Sequence, residues 1–565
     1  MGCIPVWRRV LRRLFVCLAF AGAGSPSAHA AEPPAAAIAS AHPLATRAGL
    51  DILKRGGNAF DAAIATIAVL AVVEPYSSGL GGGGFFLLHR ASDGRQVMVD
   101  ARETAPGGVT PGLYLDSEGK PVPGATTRGG TAAAIPGAPA MLAHVAGRYG
   151  TLPLKVTLAA AIRHARDGFA VDGRYERIAA LRERFLQERP EAGRIFLDDN
   201  RAPKAGWLLR QPELAVTLEH LASAGRDGFY KGPVARAMVE SVNREGGVWQ
   251  PGDLAGYRVV ERAPLRFRYG GASITAAALP SAGGIALGQA LFMLERFGAA
   301  DPGAPRDAHL IVEALRRAFH DRARHLGDPD FVPVPVEGLT SRAYASARAA
   351  SISRDTATPS EALGAEVPAP AGASTTHLSV IDAAGNRVAA TMTINLLFGS
   401  GIVAAGTGVL LNNEMDDFSL RPELPNSFQL RGGAANAIAP GKRPLSSMTP
   451  TFVEDSKGVL VLGTPGGSRI ISQMLLAVLD YVRAPAVNLA ALLRAPRYHH
   501  QWWPDRVEIE PEGFSADWRA ALEARGHQVQ SGKRRWGNMQ AVFKSKATGI
   551  AQAASDPRGS EVGWY

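Results

Sequence analysis

The chain is almost without cysteine: Cys3 and Cys17 are the two it has, both within the first thirty residues. A protein that loses that segment has no disulfide, no thiolate nucleophile and no Cys-ligated metal. It has no apolar run long enough to span a bilayer, which takes ~20 residues. It also lacks a Gly-x-Ser-x-Gly elbow and a Gly-Lys-Ser/Thr phosphate loop, which removes two common catalytic scaffolds. Aromatics make up 7% of the residues. No aromatic-interleaved basic stripe accompanies the formal net charge of +10, so nucleic acid is not an expected partner. The 63 glycines and 39 prolines follow no triplet period, and with 46% hydrophobic residues the chain has the make-up of a globular protein rich in turns.

The first thirty residues carry part of that charge. Arg8, Arg9, Arg12 and Arg13 precede an apolar run over 14–24, and Ala28-His29-Ala30 supplies small residues at −3 and −1. This pattern reads as a secretory signal peptide over 1–30, cleaved after Ala30, with a bacterial periplasm as the destination and no stable membrane anchor. Beyond it, helical periodicity is expected over 44–54, ending at Gly56-Gly57, and over an apolar core helix at 61–73. Glycines 79 and 81–84 read as a tight structural turn. Helix-like segments fill much of 138–187 and 212–245. A further one over 307–326 carries several basic residues, expected to form a solvated face. Residues 355–373, dominated by Thr, Pro, Ala and Gly, read as a flexible linker.

After the linker the pattern turns to strand. Residues 376–381 and 387–394 are β-branched and apolar, and a three-residue loop Ala383-Ala384-Gly385 predicts a hairpin with Gly385 in the left-handed position. That register sets Thr375 opposite Thr393, two hydroxyls on one face of the sheet. The junction Ala373-Ser374-Thr375-Thr376 then acquires a chemical meaning. Cutting the Ser374–Thr375 bond gives Thr375 a free α-amine of pKa ~7.7–8.0. Such an amine can accept the hydroxyl proton, so an N-terminal Thr needs no His to act as nucleophile. A Thr at a strand start is also simply a good β-former, and spacing alone leaves both readings open. His499-His500 lacks a spaced third ligand and reads as a polar packing cluster with Trp502 and Trp503, not a metal site.

Several longer motifs decide between these readings. They are Thr375-Thr376-His377-x-Ser379, Leu411-Asn412-Asn413-Glu414-Met415-Asp416-Asp417-Phe418, Lys442-Arg443-Pro444-Leu445-Ser446-Ser447-Met448 and Thr464-Pro465-Gly466-Gly467-Ser468-Arg469. Upstream, Gly56-Gly57-Asn58-Ala59-x-Asp61 and Arg102-Glu103-Thr104-Ala105-Pro106 precede them, and Asp556-Pro557-Arg558 follows near the end. In this order they resemble the γ-glutamyltransferases, or glutathione hydrolases, of the N-terminal-nucleophile hydrolase superfamily.

The resemblance implies an α+β fold, a four-layer αββα sandwich made as one precursor. It cuts itself between Ser374 and Thr375 into a large chain, 31–374, and a small catalytic chain, 375–565, with 355–374 as the linker. Thr375 matches the nucleophile and Thr393 the second Thr that hydrogen-bonds and activates it. Gly466 and Gly467 match the oxyanion hole. Arg102, Ser446 and Ser447 match the ligands of the substrate α-carboxylate, and Asn395, Glu414 and Asp417 those of its α-ammonium. Residues 422–433 resemble a lid loop, with Phe428 where several bacterial relatives have Tyr. The implied activity is transfer of a γ-glutamyl group from glutathione or similar donors to water or to an amino acid or peptide amine. No cofactor or metal is called for. Two alternatives remain: a glutaryl-cephalosporin acylase-like amidase of the same superfamily, and an unprocessed periplasmic binding protein.

Overall fold

A computed structural model describes residues 35–298, 300–364, 375–421, 424–559 and 563–564. The proposed signal peptide, Ser374 and residues 365–373 of the linker lie outside the described residues. Two antiparallel sheets form the centre. The first runs, in spatial order, Gly563–Trp564, β1 (Ala37–Ser40), β7 (Thr376–Ile381), β8 (Arg387–Thr393), β2 (Gly83–Arg90), β3 (Arg95–Ala101) and β4 (Val260–Arg262). The second runs β12 (Ala551–Ser555), β11 (Gln540–Ser545), β10 (Gly458–Gly463), β9 (Thr451–Glu454), β6 (Ala272–Ala276) and β5 (Leu265–Tyr269).

Period-two alternation sends the central strands of the first sheet into two cores. Leu378, Val380, Val388, Ala390, Phe86 and Leu88 pack against α1 (Pro43–Lys54) and α2 (Ala59–Val73). Ile381, Ala389, Phe85 and Leu87 face the other way, onto Phe452, Val461 and Val542 of the second sheet. That sheet is covered in turn by α3 (Gly283–Glu295), α4 (Pro305–His325) and α5 (Arg469–Arg483). The result is the expected four-layer αββα sandwich, and the described residues make one compact unit. Among the described residues no helix is long and apolar enough to cross a membrane.

Local signals behave as their chemistry dictates. Every residue of α2 is buried, and its start is closed by a capping box in which Asn58 Oδ1 accepts from the Phe60 and Asp61 N–H groups while Asp61 accepts from the Asn58 N–H. The helix-rich stretches contain Ala138–Tyr149, Gly173–Gln187, Pro212–Ala224 and Gly232–Arg244. The hairpin has the predicted register, with Val388 opposite Val380 and Met392 opposite Thr376, and Gly385 at φ 91°. The glycine turn leads directly into β2, which pairs with β8 so that Thr393 faces Gly83. A Cβ on Gly82 would lie 2.0 Å from the Thr393 carbonyl oxygen, so the small residue there permits the close approach of the two backbones.

Two expectations need correction. The basic helix α4 is not a solvated surface: residues 308–323 are all buried, and two of its arginines are neutralised, by an acid on the helix itself and by one distant in sequence. Glu313 pairs with both Arg316 and Arg317, and Asp505 with Arg316. The described part of the linker, 355–364, is also anchored rather than loose. The Ala357 N–H donates to Arg525 O at 2.7 Å, and buried Ser360 donates to Trp502 O at 2.6 Å and accepts from Arg316.

Candidate active site

Thr375 stands immediately before β7 and Thr393 ends β8, so the hairpin register brings their side chains together. Thr375 Oγ1 donates to Thr393 Oγ1 at 3.3 Å, and the Asn395 N–H donates to the same oxygen at 2.8 Å. The strand start is held from its other face, where Thr376 Oγ1 donates to the buried carboxylate of Glu74 at 2.8 Å. Asn395 has φ 70°, a left-handed conformation rare for a residue with a side chain and typical of constrained sites. Its Nδ2 donates to Asn413 O at 2.8 Å, while its buried Oδ1 has no protein partner among the described residues.

These groups open onto a small pocket. Nine of the sequence-selected residues line it: Thr375, Thr393, Arg102, Asn395, Glu414, Asp417, Ser446, Ser447 and Gly467. Gly466 lies beside it, one residue outside the wall. Arg102 follows β3, and Glu414 and Asp417 sit on one 3₁₀ turn, Glu414–Asp417. Ser446 forms a parallel bridge with Ser281, and its N–H donates to Pro280 O at 2.8 Å.

Electrostatics in this pocket are concentrated on Arg102, which is 1% exposed. It donates from Nη1 to Glu414, from Nη2 to Asp417 and from Nε to Pro444 O at 3.1 Å. A third carboxylate, Glu103, is fully buried 3.6 Å away. Burial raises the pKa of Glu103, Glu414 and Asp417, and Arg102 opposes the rise in each. The carboxylates in turn help hold Arg102 above its ordinary value against its own desolvation. With Glu414 Oε2 also lacking a hydrogen-bond donor among the described residues, the acids are short of positive charge. An ammonium group entering here would find acceptors already in place.

The turn Pro465-Gly466-Gly467 lies between β10 and α5, with Gly466 at φ 142° and Gly467 at φ 58°. Neither glycine N–H makes a hydrogen bond among the described residues. Both precede the N-terminus of a 15-residue helix, whose dipole favours negative charge at that end. The turn is braced by residues the sequence reading did not select. Gln473 Nε2 donates to Pro465 O at 3.1 Å, and Gln473 Oε1 accepts from Arg497 Nη1 at 2.9 Å. Arg497 is fixed by Asp556 at 2.6 Å.

Phe428 closes the pocket. A Cβ on Gly467 would fall 2.4 Å from its ring, so the aromatic face lies directly on that glycine. Without a phenolic hydroxyl, the loop is held through its backbone: Phe428 O accepts from Gln501 Nε2 at 3.0 Å, and the Ser427 N–H donates to Asp416 Oδ2 at 3.0 Å. Burial pushes the Asp416 carboxyl up to about 6. Residues 422 and 423 of this loop lie outside the described residues.

Two further residues were not selected. Asn412, within a quoted motif, ties the site's loops together: its Nδ2 donates to Gly81 O and Ala134 O at 2.7 Å each, and its Oδ1 accepts from the Glu414 N–H at 2.9 Å. Arg322, on α4, lines the pocket and carries no sequence signal beyond a charged helix. Burial lowers its pKa to about 10, with Asp417 pulling it up and Arg102 pushing it further down.

His499 and His500 form the expected packing cluster. His499 Nδ1 bonds Ser472 Oγ at 2.7 Å, and His500 Nδ1 accepts from the Trp502 N–H at 3.1 Å. Desolvation lowers them to about 3 and about 4, so both are neutral. Among the described residues no group of three or more His, Cys, Asp or Glu is arranged to hold a metal.

Comparison with known proteins bears on the family and the fold. A family model described as gamma-glutamyltranspeptidase matches residues 45–564. The chain is 42% identical over 529 residues to a glutathione hydrolase proenzyme of Escherichia coli (strain K12), covering 92% of this chain and 90% of that one. It is 36% identical over 517 residues to an acylase ACY 1 proenzyme of Pseudomonas sp. (strain V22), covering 89% of each. Among solved structures, a cephalosporin acylase from Bacillus halodurans matches with a TM-score of 0.81 at 30% identity, over 94% of this chain and 96% of that one. With its motifs in order, its sandwich and a family match over nearly its whole length, the chain belongs to the γ-glutamyltranspeptidase family.

Proposed function

We propose that this protein is a self-processing γ-glutamyltransferase and glutathione hydrolase. The observation that carries the reading is the Thr375–Thr393 hydroxyl pair opening onto a pocket with both signs of charge in contact, Arg102 against Glu414 and Asp417. A γ-glutamyl group carries an α-carboxylate and an α-ammonium on one carbon. Such a zwitterion can exchange into an existing ion pair without changing the pocket's net charge.

The chemistry follows in two stages. In the precursor Thr375 Oγ attacks the Ser374 carbonyl, the scissile C–N bond breaks as the α-amine of Thr375 takes a proton, and water hydrolyses the ester. The freed amine then accepts the Thr375 hydroxyl proton as Oγ attacks the γ-amide of the donor. The Gly466 and Gly467 N–H groups, at the helix end, meet the tetrahedral oxyanion. Cysteinylglycine leaves with the proton when glutathione is the donor, and the γ-glutamyl ester passes to water or to an acceptor amine. Arg102, Ser446 and Ser447 take the carboxylate, and Asn395 Oδ1, Glu414 and Asp417 the ammonium. The working enzyme is a large and a small chain, 31–374 and 375–565, and the leader pattern of the first thirty residues supports export to a periplasm.

A glutaryl amide has no ammonium, and would leave Glu414, Asp417 and Asn395 Oδ1 facing methylene groups. The γ-glutamyl reading is therefore preferred over the acylase one. The test is intact mass and N-terminal sequencing of the purified protein beside Thr375→Ala, followed by turnover of γ-glutamyl-p-nitroanilide. Two chains, the smaller starting at Thr375, with the variant left uncut, are expected. A folded wild-type protein that stays as one chain overturns the mechanism.

A further inference from the structure

Arg322 is a buried cation whose charge the protein leaves largely unanswered. It is 4% exposed in the last turn of α4 and lines the same pocket wall as Thr375 and Ser447. Among the described residues its one hydrogen bond is long, from Nη2 to Ser447 Oγ at 3.4 Å, and its Nε has no acceptor. Asp417 acts on it through space, but that carboxylate is already bonded to Arg102. The contrast with Arg102 is direct: each of the three Arg102 nitrogens already donates to a protein acceptor. A carboxylate entering the pocket must share Arg102 with Glu414 and Asp417, whereas at Arg322 it competes with no bonded acid. Burying a guanidinium without a counter-ion is costly, so an anion that arrives with the ligand is the partner this geometry lacks.

We propose that Arg322 is a second carboxylate-binding residue of the pocket, taking the substrate α-carboxylate together with Ser447 and beside Arg102, whose guanidinium also orders the two acids that receive the ammonium. This rests on the γ-glutamyl reading above. The interaction forms with the ground state and persists through acyl transfer, because the α-carboxylate is remote from the reacting carbon. Its loss therefore raises KM and leaves kcat in place.

The experiment compares wild type, Arg322→Gln and Arg322→Lys after self-cleavage has been verified on a denaturing gel. It measures kcat and KM for γ-glutamyl-p-nitroanilide, and the inhibition constants of L-glutamate and of 4-aminobutyrate, which lacks the α-carboxylate. Arg322→Gln is expected to raise KM about 10–100-fold, the size of a hydrogen bond to a charged group, with kcat within threefold. It should weaken L-glutamate by a similar factor and leave 4-aminobutyrate unchanged. Arg322→Lys, which keeps the charge without the fork, should fall between the two. A fall in kcat at constant KM, equal weakening of both inhibitors, or no change in KM overturns the proposal. Should the Gln variant fail to process, the Lys variant decides by the same split: raised KM at constant kcat supports it, and any other result overturns it. Failure of the underlying reading has a different signature, a processed wild-type enzyme that does not turn over γ-glutamyl-p-nitroanilide.

Discussion

Replacing Thr393 with valine removes one oxygen and keeps the shape of the side chain, so the consequences can be worked from two hydrogen bonds. Thr393 Oγ1 accepts from Thr375 Oγ1 at 3.3 Å and from the Asn395 N–H at 2.8 Å. The first orients the proposed nucleophile. As a neutral bond it is worth ~0.5–1.5 kcal/mol. The second holds Asn395 in its left-handed conformation at φ 70°, and the abandoned buried N–H costs ~1–3 kcal/mol. If that loss reaches the active site as a displaced Asn395 Oδ1, about 2–3 kcal/mol of transition-state stabilisation disappears, a fall in kcat/KM of about 30- to 150-fold. Self-cleavage should slow as well, because Thr375 performs both attacks. Thr393→Ser keeps the oxygen and should stay within about fivefold of wild type, a loss of under about 1 kcal/mol. The assay is initial-rate kinetics on γ-glutamyl-p-nitroanilide, with a gel time course of precursor cleavage. A Val variant within threefold of wild type, or a Ser variant as poor as the Val one, would refute the role assigned to this hydroxyl.

Asp417→Asn removes one of the two acids on Arg102 and should raise KM for γ-glutamyl-p-nitroanilide by about 10–100-fold, with the glutaryl analogue, which has no ammonium, unaffected. Equal effects on both substrates would contradict the ammonium assignment. Asp416 predicts a pH dependence: its folded value, about 6, exceeds the ordinary 3.8, so the folded state binds the proton more tightly. Its contribution to stability is thus fully present at low pH and is lost as pH rises through about 6. Wild type minus Asp416→Asn, from denaturant unfolding, should accordingly become more favourable by ~2–3 kcal/mol between pH 7 and pH 4. A difference that is flat with pH would show that the carboxyl is not desolvated as the structure implies.

The parts of the site that were readable in the sequence are those built from neighbours. The hairpin 376–393 closes over three residues, so loop chemistry at Gly385 and strand alternation suffice to place Thr375 across from Thr393. Helix α2 announces itself by its apolar run, while its start at Ala59, behind the Asn58 cap, emerges only in the structure. Arg322 was not readable for a physical reason. On a helix bearing Arg316, Arg317 and Arg324, nothing local separates a guanidinium facing water from one facing a pocket. The linker was misjudged similarly, since Ser360 is anchored by Arg316 and by Trp502, 142 positions away. Phe428 was legible as a pocket wall, but not that Gln501 and Asp416 would hold its loop in place of a tyrosine hydroxyl.

By itself, then, the sequence determined several of the elements, the hairpin register, the candidate nucleophile and, through its ordered motifs, the family. Those depend on contacts within a few residues or on residue types the chemistry cannot replace. Tertiary structure alone decided how the charges are shared. Arg102 meets Glu414 and Asp417 across more than 300 positions, and Arg322 reaches Ser447 across 125, because the stacked sheets bring the ends of β3, β8 and α4 to one pocket. Which cation is already neutralised and which awaits a ligand follows from burial and distance. Neither is a property of a residue type, and both exist only once the layers have packed.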